Sequence, residues 1–122
     1  MASGDDEETR EARVQASGSE PTRVEKSFVL SLVAGPGAPR DYRLGDGETV
    51  VGRSEAADIQ ISSDEVSRKH LAVRCVGNEH VGVDLGSRNG FILNGVRVHS
   101  AALRDGDRVQ LGDAVLVYHA ES

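Results

Sequence analysis

From about residue 27 onward, short apolar runs alternate with clusters of turn residues. Residues 27–33 are mostly apolar and end at a Gly-Pro-Gly stretch over 35–37, while residues 58–61 and 80–85 alternate apolar with polar side chains. A period of two is typical of strands that bury one face, and glycine and proline mark the turns between them. The pattern therefore predicts a series of short strands.

The second half of the chain predicts hairpins. The Asn94-Gly95 dipeptide lies between two apolar tripeptides, which is a strong signal for a tight type I′ turn. A Gly-Asp pair at 112–113 separates two further apolar runs. Because the strands are short, the turns contain glycine and no convincing long helix is present, the sequence predicts an all-β sandwich.

Residues 62–76 fit two structures. A capping-box match at 62–65, followed by apolar positions, is compatible with a helix. In contrast, Leu71, Val73 and Cys75 alternate with their neighbours, which favours a strand that begins at about Lys69. We predict the strand.

Residues 1–26 differ in composition from the rest of the chain. They carry seven acidic and four basic residues and almost no large apolar side chain. Such a segment buries too little surface to offset its ordering entropy. We predict a disordered acidic tail over 1–26, with a short helix near 7–14 as the weaker alternative, and one folded domain over 27–120.

Charge and rare residue types narrow the function. The net charge of −6 argues against a protein held to nucleic acid by bulk charge, and the absence of tryptophan leaves no stacking platform for single strands. The single cysteine, Cys75, excludes an intramolecular disulfide and a multi-cysteine zinc site. No apolar run is long enough to span a bilayer. We expect a cytoplasmic protein without cofactor, metal, nucleic-acid partner or membrane partner.

Side chains that bind anions are concentrated where strand-like runs meet turn residues. Arginine forks, serine hydroxyls and an asparagine amide are donors suited to a phosphate. Adjacent residues on an extended backbone point to opposite sides, so only one of Arg68 and Lys69 faces a ligand directly. The three stretches are Gly52-Arg53-Ser54, Ser67-Arg68-Lys69-His70 and Gly86-Ser87-Arg88-Asn89-Gly90.

These stretches, with Asp84-Leu85 before the third and the Asn94-Gly95 turn after it, resemble the forkhead-associated (FHA) domain over residues 27–120. The resemblance implies a SMAD/FHA-type β-sandwich of about eleven strands with its ligand loops at one end. It also implies a signalling module that binds phosphothreonine proteins or peptides produced by an upstream Ser/Thr kinase. The phosphopeptide-binding residues it implies are Arg53, Ser54, Ser67, Arg68, Arg88 and Asn89. Structural support would come from Gly52, His70 and Gly90.

Arg88 departs from the family pattern, which usually has a small hydroxyl residue at this position. It is predicted either to add a cation to the phosphate site or to turn to solvent and pair with an acid such as Asp84. His70 is expected, from the resemblance, to tie neighbouring loops together through its ring nitrogens rather than to act as a general base.

Other functions are weighed against this one. An FHA-like scaffold that does not read phosphate would need none of Arg53, Ser67 and Asn89. An enzyme is not expected, because no P-loop, nucleophile-elbow or zinc-protease motif is present and Cys75 is expected in the core rather than in a thiol dyad with His70. A phosphorylated Thr9 is a candidate ligand in cis, with a merely solubilising tail as the alternative.

Overall fold

A computed structural model describes residues 27–88 and 90–121, and regular structure in that part of the chain is entirely β-strand. The predicted tail over 1–26 and the predicted ligand Asn89 lie outside the described residues. The described ranges contain no helix with the length and apolarity needed to cross a membrane. The strands are β1 (Ser27–Ala34), β2 (Arg40–Leu44), β3 (Thr49–Gly52), β4 (Ile59–Gln60), β5 (Leu71–Val76), β6 (Glu79–Asp84), β7 (Phe91–Leu93), β8 (Val96–Val98), β9 (Ser100–Leu103), β10 (Arg108–Leu111) and β11 (Ala114–Glu121).

The strands form two sheets. One has six strands in the order β2-β1-β11-β10-β7-β8, and the other has five in the order β4-β3-β5-β6-β9. Neighbouring strands are antiparallel except for the parallel pair β3 and β4. The predicted all-β sandwich of about eleven strands is therefore confirmed.

Alternate residues of the two sheets supply one core. Leu32 of β1 and Leu116 of β11 belong to the same buried cluster as Val51 and Leu71 of the other sheet, and each is at most 1 % exposed. Full burial of a leucine or valine side chain contributes about 1.5–3 kcal/mol. Because this core fixes the two sheets against each other, the loops at the end of the sandwich have a rigid base.

The predicted type I′ hairpin is confirmed at Asn94-Gly95. Both residues have positive φ, 50° and 88° respectively, as this turn requires. The turn sets the register of β7 and β8, in which Leu93 lies opposite Val96 and Ile92 lies opposite Arg97.

The helix alternative for residues 62–76 does not form. The Val66 N–H donates to the Ser63 carbonyl at 3.1 Å, which closes a single turn, and β5 begins at Leu71, two residues later than predicted. The buried Ser63 hydroxyl accepts from the Glu65 N–H at 3.1 Å and donates to Asp113 at 2.5 Å. This loop is thus held by the β10–β11 turn, a contact that local sequence does not reveal.

The prediction that Cys75 lies in the core is wrong, because it is only half-buried. The strand leaves the core at this end, and the next residue, Val76, is 60 % exposed. Alternation along β5 identified the correct face but not the point at which the opposite sheet stops covering it.

A buried polar pair lies on the inner side of β6 and β11. The His80 Nδ1 is 2.8 Å from the Tyr118 hydroxyl and its Nε2 is 3.3 Å from the Gly45 carbonyl, with both side chains 1 % exposed. The carbonyl can only accept, so Nε2 carries the ring proton and Nδ1 accepts the tyrosine O–H. Burial, aided by the charges of Cys75, Asp105 and Glu79, raises the pKa of Tyr118 to about 12.

Candidate functional site

Backbone hydrogen bonds join the first two predicted loops. The Arg53 N–H donates to the Ser67 carbonyl at 3.0 Å, and the Ser54 N–H donates to the Arg68 carbonyl at 3.1 Å. The His70 N–H donates to the Val51 carbonyl at 2.9 Å. These bonds continue the pairing of β3 with β5 past the ends of both strands, so the two loops leave the sheet side by side.

Gly52 permits this close approach. A Cβ at this position would lie 2.1 Å from the Arg68 carbonyl oxygen, far inside van der Waals contact. No other residue fits here without separating the two loops. The backbone therefore gives a physical reason for glycine immediately before Arg53.

His70 joins the second loop to the third. Its side chain is buried, at 4 % exposure, and its Nδ1 accepts from the Ser67 N–H at 3.1 Å. Its Nε2 is 2.9 Å from the Gly90 carbonyl, which can only accept. The ring is therefore the neutral tautomer with its proton on Nε2, and both nitrogens are engaged.

Asp84 and Ser87 shape the third loop. The Asp84 carboxylate accepts the N–H groups of Gly86 and Ser87, each at 3.1 Å, as well as the Ser87 O–H. The Ser87 hydroxyl in turn accepts the Gly90 N–H at 2.9 Å. Asp84 is thus committed to holding the loop.

The ion-pair contacts of Asp84 decide whether Arg88 pairs with this carboxylate or is left to face a ligand. Among the described residues, the basic side chain within ion-pair distance of the Asp84 carboxylate is His99, whose Nδ1 lies at 3.9 Å, and not Arg88. The carboxylate side chain is only 7 % exposed, and its oxygens are occupied by the loop itself. Arg88 instead lines a cavity at the loop end of the sandwich.

The three loops surround a cavity of about 510 Å³ at this end of the sandwich. Of the sequence-predicted residues, it is lined by Arg53, Ser67, His70, Arg88 and Gly90. The loops therefore bring two of the predicted cations and one hydroxyl to a single concave surface. A cavity with convergent donors is the usual form of a small-ligand site.

Arg53 is held in place within the cavity wall. Its Nε–H donates to the Val66 carbonyl at 3.1 Å. With Nε occupied, the terminal amino groups of the guanidinium are the donors that remain for a ligand. An arginine anchored in this way loses less side-chain entropy when it binds an anion.

Ser54, Arg68 and Lys69 do not line the cavity. The Ser54 hydroxyl accepts the Ala56 N–H at 3.1 Å, an ordinary local turn. Arg68 and Lys69 are exposed on the second loop. Ser54 and Arg68 each adjoin a lining residue, Arg53 and Ser67, in the chain, whereas the predicted ligand Asn89 lies outside the described residues.

Sequence reasoning missed several residues of the wall. Arg97 of β8 and Gln110 of β10 line the cavity, and so do Asp64 and Glu65, which precede the second loop. A signal for Arg97 was present, because the two-residue Asn94-Gly95 turn already places Arg97 opposite Ile92. The neighbour relation of β7 and β10, which brings in Gln110, carries no local signal.

The electrostatics of the cavity favour an anion. Its wall holds three arginines, Arg53, Arg88 and Arg97, against two carboxylates, Asp64 and Glu65. Among the described residues no carboxylate lies within the 4.0 Å ion-pair distance of any of these arginines, and the arginine–carboxylate pair found there is Arg74 with Glu48. Guanidinium groups that no described carboxylate pairs with directly, beside a serine, match the charge and the acceptor oxygens of a phosphate.

A two-sheet β-sandwich with an arginine- and serine-lined cavity at its loop end defines a phosphate-recognition module. The family model described as "FHA domain" matches residues 49–112, which is just over half of the chain. The chain belongs to the FHA domain family.

Two bacterial relatives are named as a regulator and an inhibitor. The chain is 39 % identical over 92 residues to the glycogen accumulation regulator GarA of Mycolicibacterium smegmatis, a match that covers 75 % of this chain and 58 % of GarA. It is 35 % identical over 103 residues to the oxoglutarate dehydrogenase inhibitor of Corynebacterium diphtheriae, covering 84 % of this chain and 72 % of that protein.

A solved structure agrees in fold and in sequence. An FHA domain, solved in work described as "Structural and functional analysis of phosphothreonine-dependent FHA domain interactions", is 33 % identical with a TM-score of 0.70. The match covers 76 % of this chain and 95 % of that one.

Proposed function

We propose that this chain is a signalling module that binds phosphothreonine peptides in the loop-end cavity and so mediates phosphorylation-dependent protein–protein interactions. The observation that carries the proposal is the meeting of Arg53, Ser67 and Arg88 on one cavity wall. Membership of the FHA family, whose members recognise phosphorylated motifs, supports it.

The proposed roles follow the geometry. Arg53 and Arg88 donate guanidinium N–H groups to the phosphate, and Ser67 donates its hydroxyl. Gly52, His70 and Gly90 support the loops that carry these groups. Asn89 is proposed, from the family resemblance, to bind the peptide backbone, while Ser54 and Arg68 are proposed as further contacts.

The proposed action is binding rather than catalysis. The relatives GarA and the oxoglutarate dehydrogenase inhibitor are named as a regulator and an inhibitor. The engaged nitrogens of His70 leave it no lone pair for base chemistry.

We propose that the folded domain is 27–120, close to the span of strands from Ser27 to Glu121. Its partner is proposed to be a cytoplasmic protein phosphorylated by a Ser/Thr kinase.

Calorimetric titration with matched peptides tests the function. A degenerate phosphothreonine library identifies a binder, which is then compared with its unphosphorylated form and with the same peptide after phosphatase treatment. Binding should require the phosphate, and the matched phosphoserine peptide should bind less well because the family pocket also contacts the threonine methyl. Equal affinity for phosphorylated and unphosphorylated peptides would instead identify a scaffold that does not read phosphate.

A further inference from the structure

We propose that Arg97 recognises an acidic side chain close to the phosphothreonine of the bound peptide. The inference rests on the proposed function and adds to it a determinant of peptide specificity. Arg97 is the central residue of β8, an edge strand, and lines the cavity together with Arg53 and Arg88. Unlike those two arginines, it projects from a strand rather than from one of the three phosphate loops.

Strand register places Arg97 at the end of a row across the six-stranded sheet. Arg97 lies opposite Ile92, Ile92 opposite Gln110, and Gln110 opposite Val115. Directly opposed residues share a face, and adjacent strands are about 4.8 Å apart, so the row extends about 14 Å over the outer surface. The phosphate cavity takes in Arg97, Ile92 and Gln110.

The row continues into a second depression. A cavity of about 330 Å³ is lined by Ile92, Gln110 and Val115, together with Arg108 and Asn94. The two cavities share Ile92 and Gln110, so they lie side by side on the outer sheet face, next to the phosphate loops. Arg97 lines the larger cavity only, so a peptide whose phosphate is bound there lies within reach of Arg97.

Charge is distributed unevenly around the phosphate cavity. Glu65 lies against the β10–β11 turn, since a Cβ on Gly112 would be only 2.5 Å from the Glu65 Cβ. Arg97 lies two strands away from β10, on β8. An acidic peptide side chain is therefore repelled from the side that holds Asp64 and Glu65 and attracted to the side that holds Arg97.

Arg97 has the chemistry and the freedom to act this way. Its guanidinium matches a carboxylate in bidentate geometry, and within the described part of the chain no carboxylate already occupies it. The competing role is a third contact to the phosphate itself. The two roles predict different peptide affinities. Only recognition of an acidic residue makes the affinity depend on which residues flank the phosphothreonine.

A peptide series crossed with two variants separates the roles. A binding phosphothreonine peptide is made with a single Asp, or its isosteric Asn, at each of the three positions on either side of the phosphothreonine. Each peptide is titrated against the wild-type chain, Arg97→Gln and Arg43→Gln. Arg43 is the matched control, since it lies on β2, the other edge strand of the same sheet, and its register through Val29 to His119 places it on the same outer face.

At one or more positions, Asp should bind about two- to fivefold more tightly than Asn, the range of an exposed ion pair. The preference should vanish in Arg97→Gln, persist in Arg43→Gln and shrink at high salt. Equal losses for the Asp and Asn peptides in Arg97→Gln would overturn the proposal and assign Arg97 to the phosphate. No Asp preference in the wild-type chain would also overturn it. Failure of every phosphopeptide to bind, the Asn series included, would instead reject the proposed function.

Discussion

A guanidinium group binds a phosphate more tightly when its side chain is already held in place. At Arg53 one hydrogen bond restrains the side chain. The Nε–H donates to the Val66 carbonyl, so the guanidinium is held in the cavity wall before any ligand binds. Val66 itself is 1 % exposed and belongs to the core. The proposed phosphate-binding arginine is thus tied to a residue of the buried core.

Replacement of Arg53 by alanine should weaken phosphopeptide binding by about 1.5–3 kcal/mol, or about 10- to 150-fold, the scale of hydrogen bonds to a charged group. The fold should survive because the side chain is exposed. Calorimetry gives the affinity and thermal unfolding verifies the fold. Unchanged affinity in a folded Arg53→Ala variant would show that the binding site is elsewhere.

Arg88 offers a second test at the level of one side chain. Arg88→Thr restores the residue type that is usual in the family. If Arg88 contacts the phosphate, the variant should lose affinity mainly at low salt, where exposed charges are least screened. Titrations at several salt concentrations measure this. Equal or higher affinity of the threonine variant at every concentration would remove Arg88 from the site.

At the scale of elements, the site depends on how closely β3 and the second loop approach. Gly52→Ala should force the Arg68 carbonyl away and lower the free energy of unfolding by about 1–3 kcal/mol, as overpacking does, with loss of phosphopeptide affinity. Gly47→Ala is the matched control, because a Cβ there meets no atom within 4 Å. Urea unfolding compares the two variants, and equal stability would mean that the close approach relaxes without cost.

Elements with local causes were predictable, and contacts between distant segments were not. The Asn94-Gly95 hairpin follows from two residues that tolerate positive φ. The loop over 62–70 was ambiguous because Ser63 is tied to Asp113, fifty residues later. Arg53, Ser67 and Arg88 were found as loop residues with phosphate chemistry, whereas Arg97 and Gln110 enter the wall only through the pairing of β10, β7 and β8.

At the scale of the whole molecule, the buried hydroxyl of Tyr118 should make the free energy of unfolding fall as the pH becomes alkaline. An unfolded tyrosine loses its proton near pH 10, whereas Tyr118 in the fold holds its proton until about pH 12. Between these values the unfolded state binds fewer protons, so the free energy of unfolding falls as pH rises, by about 1.4 kcal/mol per pH unit. Below pH 10 both states are protonated and this group contributes no slope.

Chemical unfolding of the wild-type chain and of Tyr118→Phe across this range isolates the effect. The phenylalanine variant should start less stable by about 1 kcal/mol, because His80 loses its donor, but should decline less steeply above pH 10. Other groups titrate equally in both proteins and cancel in the comparison. Parallel declines would show that Tyr118 ionises as readily in the fold as in the unfolded chain.

The length of β11 separates the ends of the domain from its site. Gly112 lines the cavity, and the eight residues of Ala114–Glu121 then extend about 23 Å away from it. Ser27 pairs with Glu121, so the chain enters beside the point where the last strand ends. The described domain therefore has its two ends together, opposite the proposed ligand.

This distance bears on the prediction that a phosphorylated Thr9 binds in cis. The chain from Thr9 to Ser27 reaches up to about 60 Å when extended, well beyond the length of β11. The phosphorylated chain should then bind an external phosphopeptide more weakly than the phosphorylated Thr9→Ala variant, with Thr22→Ala as the control. Equal affinities in a competition titration would leave the tail as a solubilising segment.

The paired ends have a practical consequence for handling the molecule. Ser27 and Glu121 are neighbours across β1 and β11. Because its two ends are adjacent, the domain can be inserted into a loop of a host protein at a single site. A fluorophore, affinity tag or sensor surface joined there would stand one strand length from the ligand. Peptide capture on an immobilised chain should therefore proceed as freely as it does in solution.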